Sequence, residues 1–179
     1  VMTGHYANFE WLLALGYYVS LKPVAIYAPL QNQYFDNYFK RVRSKHNSAL
    51  ISKNKFVEEF AISKRENKLN LVGFAADQSP RNRSKNYYRT FFGHEVPVFT
   101  GAERLGKRFD VPVVMAKVKR VKRGYYETTF NVLAENPSEV ADYQITDMFY
   151  EALEEQIRED PTQYFWTHNR FKLMRQKQQ

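Results

Sequence analysis

His5 and Glu10 are the first residues whose types and spacing suit catalysis. An imidazole takes up and returns a proton near neutral pH. A carboxylate bound to one ring nitrogen fixes the tautomer and stabilises the cation formed when the other nitrogen is protonated. Five positions along one ideal helix would leave the two side chains on different faces. They meet only if His5 lies in a turn and Glu10 in the first turn of the helix that follows, a geometry that Gly4 and Asn8 favour. On that arrangement His5 is a general base and Glu10 its holder. The other arrangement open to the same residues is a histidine satisfied by local backbone groups.

Asp77 and Gln78 follow an apolar run over 69–76, and Arg81, Arg83, Lys85 and Arg89 come within the next dozen positions. These cations either bind an anion or stand solvated in a loop, and Asp77 either orients one of them or caps the turn. Arg41 and Arg43 end a helical stretch, where a cation offsets the helix dipole. Alternatively, the forked donors of an arginine there reach a phosphate. The segment Trp166-Thr167-His168-Asn169-Arg170-Phe171-Lys172 mixes rings and cations. That mixture suits a membrane interface, a nucleic-acid strand, or a C-terminal piece packed on the core by Trp166 and Phe171. No His-Glu-x-x-His spacing occurs, the chain has four His and no Cys, and no metal site is expected. The lack of Cys and of a Gly-x-Ser-x-Gly elbow counts against covalent catalysis.

The elements that would carry these residues alternate between strand and helix. Helices are expected over 8–19, 34–43, 53–67, 99–109 and 141–159 from apolar residues at helical spacing. The first is apolar on most sides and is expected to be buried. Strands are expected over 1–3, 23–27, 49–51 and 69–76, the last a continuous apolar run buried on both faces. Segments 111–118 and 125–133 are expected to form a hairpin across a basic turn, and 77–89 an exposed loop. The order gives an α/β domain, a layered mixed sheet flanked by helices. Chemistry in such folds gathers at the carboxyl ends of strands, where both His5 and Asp77 fall.

The 179 residues suit one domain. A net charge of +8, from 27 Lys and Arg against 19 Asp and Glu, favours an anionic partner: a phosphorylated lipid, an acidic protein or nucleic acid. The 13 Tyr and 14 Phe fit either an aromatic core or a surface at lipid headgroups. No run approaches the roughly 20 apolar residues that span a bilayer. Val1-Met2-Thr3 looks like the tail of a buried strand, so an upstream N-terminal anchoring segment is expected.

Taken in order, several segments resemble the bacterial lipid A biosynthesis acyltransferases, within the wider lysophospholipid and glycerophosphate acyltransferase superfamily. They are Gly4-His5-Tyr6-Ala7-Asn8-Phe9-Glu10, Ile26-Tyr27-Ala28-Pro29-Leu30, Arg41-Val42-Arg43-Ser44, Ala76-Asp77-Gln78, Phe91-Phe92-Gly93, Thr100-Gly101, Val111-Pro112-Val113 and Trp166 to Lys172. Each is unspecific alone; their order and spacing carry the resemblance, which spans almost the whole chain. One departure is Ser79-Pro80, where the family often has Asp and then Gly.

The resemblance implies a glycerol-3-phosphate acyltransferase-like fold and one catalytic domain over 1–179. It implies transfer of a fatty acyl group from an acyl carrier protein thioester to a hydroxyl of a lipid A precursor. His5 and Glu10 would be catalytic, with Arg43, Asp77, Gln78, Arg81, Thr100 and Gly101 at the substrate. The partners implied are acyl carrier protein, a phosphorylated lipid acceptor and the membrane surface, at the cytoplasmic face of the bacterial inner membrane, with no metal, no cofactor beyond the thioester and no nucleic acid. Two alternatives share the sequence features: another lipid acceptor such as a lysophospholipid or amino lipid, or a basic module that binds membrane or nucleic acid without catalysis.

Overall fold

Alternating apolar stretches and capped helical stretches build two units in the computed structural model, which describes residues 1–80 and 87–175. One unit comprises Val1–Phe9 and Ala75–Gln179, the other Glu10–Phe74. The α/β class expected from the residue pattern is the class observed, with both parallel and antiparallel strand pairs.

In the first unit, β1 (Met2–Thr3) runs parallel to β7 (Val113–Lys122), with Met2 opposite Met115. β7 turns back through Gly124 (φ +79°) into β8 (Tyr125–Ala134), the expected hairpin, with strands longer than the apolar pattern indicated. Met2, Met115, Ala116 and Val118 are buried on this sheet. They pack with α4 (Gln144–Glu159), whose Ile145, Phe149, Leu153 and Ile157 are at most 1% exposed, as their helical spacing anticipates. Gly4 lies against this helix: a Cβ there would stand 2.6 Å from Leu153 Cδ1.

α3 (Gly101–Phe109) joins α4 through a buried carboxylate. Glu103, 3% exposed, accepts the Tyr143 N–H at 2.6 Å, the Thr146 N–H at 2.9 Å and the Thr146 hydroxyl at 2.7 Å. It thereby satisfies orphan donors at the start of α4, whose own N-cap, Tyr143, makes no side-chain cap.

The stretch expected as an exposed loop over 77–89 is not one where it is described. Asp77 is 1% exposed and Pro80 is buried. From Tyr87 the chain forms β5 (Tyr87–Phe91), paired antiparallel with β6 (His94–Val98). The hairpin closes on Phe92 (φ +48°) and Gly93 (φ +77°), two consecutive left-handed residues as a tight two-residue turn demands. A Phe-Gly pair is not an obvious turn sequence; here Glu154 accepts the Phe92 N–H at 3.0 Å and holds it.

The second unit is a parallel sheet in the order β3 (Ala49–Ser52), β2 (Lys22–Tyr27), β4 (Asn70–Ala75). Its helices are α1 (Gln33–Arg43) and α2 (Phe56–Arg65), the latter with Phe56 edge-on to Phe74. Asn32 caps α1, its side-chain oxygen accepting from the Tyr34 and Phe35 N–H groups.

Two expectations are corrected here, for the first helical segment and for β4. The first helical segment is a 3₁₀ helix, Phe9–Tyr17, with no buried residue. Its pitch lines side chains up at i and i+3, in place of the 3.6-residue spacing that an α-helical face follows. β4 is fully buried only at Val72 rather than along both faces. The residue that α1 buries is Asp36, paired with Lys40 at 2.6 Å, while Tyr34, Phe35 and Tyr38 face outward. Among the described residues no helix is long and apolar enough to cross a membrane.

Removing the buried Glu103 carboxylate leaves two backbone donors and a hydroxyl without their partner, and leaves the Lys107 ammonium with Asp142 alone. Glu103→Ala should lower the unfolding free energy by about 3–5 kcal/mol. Urea denaturation followed by circular dichroism checks this, and a loss under about 1 kcal/mol would refute the capping role.

Candidate active site

β1 delivers His5, and the end of β4 delivers Asp77. One backbone bond brings them side by side: the Ala76 N–H donates to the Thr3 carbonyl at 3.0 Å. The Tyr150 hydroxyl, buried in the core, donates to the Ala76 carbonyl at 2.8 Å and so holds the following peptide of the same residue. On the His5 strand, the chain turns at Ala7 (φ +48°) and is clamped by the C-terminal segment. The Phe165 N–H donates to the His5 carbonyl at 3.0 Å, and the Ala7 N–H to the Gln163 carbonyl at 2.8 Å.

His5 Nδ1 lies 2.6 Å from Asp77 Oδ1. The His5 side chain is 17% exposed and that of Asp77 2%, so the ring reaches solvent while its carboxylate does not. A carboxylate only accepts, so Nδ1 carries the proton and Nε2 keeps its lone pair. That lone pair faces the Gln78 amide, whose nitrogen is 3.3 Å from it. Phe9 packs edge-on against the imidazole at 4.7 Å between centroids, and Phe165 lies at 6.1 Å. Tyr164 completes the support. Burial first, then the Asp77 carboxylate that its hydroxyl bonds, push that hydroxyl well above the usual tyrosine range.

The expected partner of His5 is thus corrected. The carboxylate on Nδ1 belongs to Asp77, 72 positions away, and not to Glu10. Both Glu10 oxygens are engaged by Arg43, with Nε at 3.0 Å and Nη2 at 2.5 Å. The physical reason is that the Ala76–Thr3 backbone bond sets the short Asp77 side chain directly on the ring nitrogen. Arg43, expected at a phosphate, gives two of its donors to Glu10 and lies over Phe39, 5.2 Å from the ring centroid; Nη1 makes no hydrogen bond among the described residues. Asp77 and Gln78 are brought to His5. Arg81 lies outside the described residues, as do Arg83 and Lys85. Thr100 and Gly101 start α3, and no hydrogen bond among the described residues joins either to His5, Asp77 or Gln78.

The segment with mixed rings and cations supplies what the sequence did not reveal. Of its alternatives, packing on the core is the observed one: Phe171 stacks on the buried Phe91 as expected, and the other anchor is Arg170 in place of Trp166. Trp166 is 49% exposed, whereas Arg170 is 2% exposed. The Arg170 guanidinium donates to Ser79 Oγ at 3.1 Å and lies over the Phe91 and Tyr150 rings, while Ser79 Oγ donates to the Arg170 carbonyl at 2.9 Å. The Ser79 N–H donates to His168 Nε2 at 3.1 Å. Burial and, second to it, the Arg170 cation lower the pKa of His168. Consecutive residues Gln78 and Ser79 therefore each engage one imidazole, His5 and His168. Among the described residues no group of three His, Asp or Glu side chains gathers as a metal site.

An α/β fold with an imidazole aimed by a buried carboxylate at strand ends is an arrangement able to accept and return a proton. The particular family follows from the sequence match. The family described as bacterial lipid A biosynthesis acyltransferase matches residues 1–173, and the chain belongs to it. No curated protein matches the chain.

The tautomer is open to direct test. In Asp77→Asn, the carboxamide oxygen accepts from Tyr164 and its NH₂ turns to His5, so Nδ1 becomes the acceptor and the proton moves to Nε2. Nitrogen-15 spectra should show Nδ1–H in the wild-type protein and Nε2–H in the variant. Glu10→Gln should leave the His5 spectrum unchanged; a tautomer change in Glu10→Gln instead would return the role to Glu10.

Proposed function

We propose that this acyltransferase moves a fatty acyl group from an acyl carrier protein thioester to a hydroxyl of a lipid A precursor, with His5 as general base. The observation that carries this reading is the imidazole held by Asp77 at Nδ1 with its Nε2 lone pair turned to a partly exposed site. An alcohol has a pKa far above 7, so its proton must leave as it attacks. The acceptor O–H takes the place of the Gln78 amide at His5 Nε2 and gives its proton there. Its oxygen bonds to the thioester carbon, and the C–O double-bond pair moves onto oxygen. As the carbonyl re-forms, the C–S bond breaks and the departing thiolate takes the proton from His5. The products are an ester and a free thiol, with no acyl-enzyme. Asp77, with Tyr164 behind it, steadies the imidazolium formed midway. No metal or further cofactor enters this scheme.

Arg43 is proposed to hold an acceptor phosphate through Nη1, with Glu10 fixing its fork. The acidic carrier protein and the phosphorylated acceptor suit the net charge of +8. A membrane surface suits the outward rings of Tyr34, Phe35 and Tyr38 beside Arg41 on α1. The cytoplasmic face of the inner membrane, the location that the resemblance implies, is the proposed location.

Purified protein given acyl carrier protein thioester and a lipid A precursor should yield the acylated lipid by mass spectrometry. A lysophospholipid in its place should yield little product; the reverse preference would redirect the proposal to that acceptor. His5→Ala should cut turnover by about 10²–10⁴-fold without loss of fold. Near-normal turnover by that variant would remove His5 as base. Arg43→Ala should raise the Michaelis constant for the lipid acceptor more than it lowers kcat, and an unchanged constant would remove the phosphate role.

A further inference from the structure

The scheme above leaves one requirement without a residue. When the alcohol adds to the thioester, the carbonyl oxygen becomes an oxyanion, and a preorganised donor must meet it. We propose that His168, as a neutral imidazole, is that donor, presenting its Nδ1–H to the acyl oxygen. The inference rests on the reading of His5 as the base.

The argument begins at Ser79. A backbone N–H can only donate, so the nitrogen that accepts it, His168 Nε2 at 3.1 Å, carries no proton. In the neutral ring the proton is then on Nδ1. This nitrogen makes no hydrogen bond among the described residues, and His168 is partly exposed, so its N–H is available to a ligand. A cationic ring would set a proton on Nε2 against the Ser79 N–H. Burial and the Arg170 cation, which both lower the His168 pKa, act in the same direction.

Placement ties His168 to the reacting centre. Gln78 faces His5 Nε2 and the next residue, Ser79, binds His168 Nε2, so one short stretch positions both imidazoles. The His168 backbone N–H donates to the Phe165 carbonyl at 3.5 Å, and the Phe165 backbone N–H to the His5 carbonyl at 3.0 Å, a second link between the two. The two rings differ in the way the reaction needs. The carboxylate on His5 makes its free nitrogen an acceptor; the peptide on His168 makes its free nitrogen a donor. Base and oxyanion donor are thus set by what each ring binds behind it.

A structural role for His168 needs only an acceptor for Ser79, so two substitutions separate the roles. Asparagine sets an amide N–H near the position of Nδ1; glutamine sets an oxygen near Nε2 and meets the Ser79 N–H. Turnover with carrier-protein thioester and lipid acceptor is measured for His168→Ala, His168→Asn and His168→Gln, with thermal melts on each. His168→Ala should lose about 10²–10³-fold in kcat with little change in the thioester Michaelis constant. His168→Asn should retain at least about tenfold more kcat than His168→Gln, although His168→Gln melts nearer to wild type. Equal kcat values, or glutamine above asparagine, would overturn the proposal. Failure of the underlying reading is seen separately, as turnover retained by His5→Ala.

Discussion

The hydrogen bond between His5 and Asp77 depends on a feature that neither side chain possesses. It is the backbone bond from Ala76 to Thr3, which brings two strand ends together and leaves no slack between the imidazole and the carboxylate. Most of what surrounds it secures that one contact. Tyr150 holds the Ala76 carbonyl, Tyr164 bonds the carboxylate, and residues 163–165 pin the backbone from His5 to Ala7. A buried carboxylate is costly unless its acceptor sites are filled. Filling them with an imidazole and a phenol makes the cost of burial serve the orientation of the ring.

The C-terminal segment is therefore part of the site and not a trailing end. Arg170 inserts a full positive charge among Phe91, Tyr150 and Ser79, and its Nε has no hydrogen-bond partner among the described residues. Buried polar and charged clusters of this kind are seldom the most stable filling for their volume; apolar replacements are often neutral or better by about 1–4 kcal/mol. Stability alone is thus a weak account of the cluster. Its members instead fix the stretch Asp77 to Ser79, and through it the orientation of two rings.

The fold was largely legible because its determinants are local. The helical spacing of Ile145, Phe149, Leu153 and Ile157, and the alternation around Gly124, report burial residue by residue. What misled was the assumption that apolar means buried. The segment at Trp11 and the rings of α1 are apolar and outward, and that is decided by what covers a face rather than by the face itself. The hairpin at Phe92-Gly93 escaped because its left-handed Phe92 is held by Glu154, a contact across 62 positions. In the site, His5 was legible as a chemically suitable type after a strand and a glycine. Its partner was not, because sequence proximity favoured Glu10 and the true neighbour is set by strand pairing. Both His5 and Asp77 were nonetheless legible as strand-end residues, and that coincidence was the available clue.

Glu10 keeps a physical role of a different kind. Its carboxylate binds Arg43 through two parallel bonds, a geometry that orients a guanidinium far better than a single contact does. The pair is partly exposed, at 31% for Arg43 and 41% for Glu10, so it adds little to stability. Orientation is then the better account: a fork with two donors fixed presents its third nitrogen in one direction. The spacing of His5 and Glu10 that first suggests a dyad thus separates into two devices, each with its own partner. One carboxylate aims an imidazole, and the other aims an arginine. Both follow the same rule, that a polar group is made directional by what is bound to its other side.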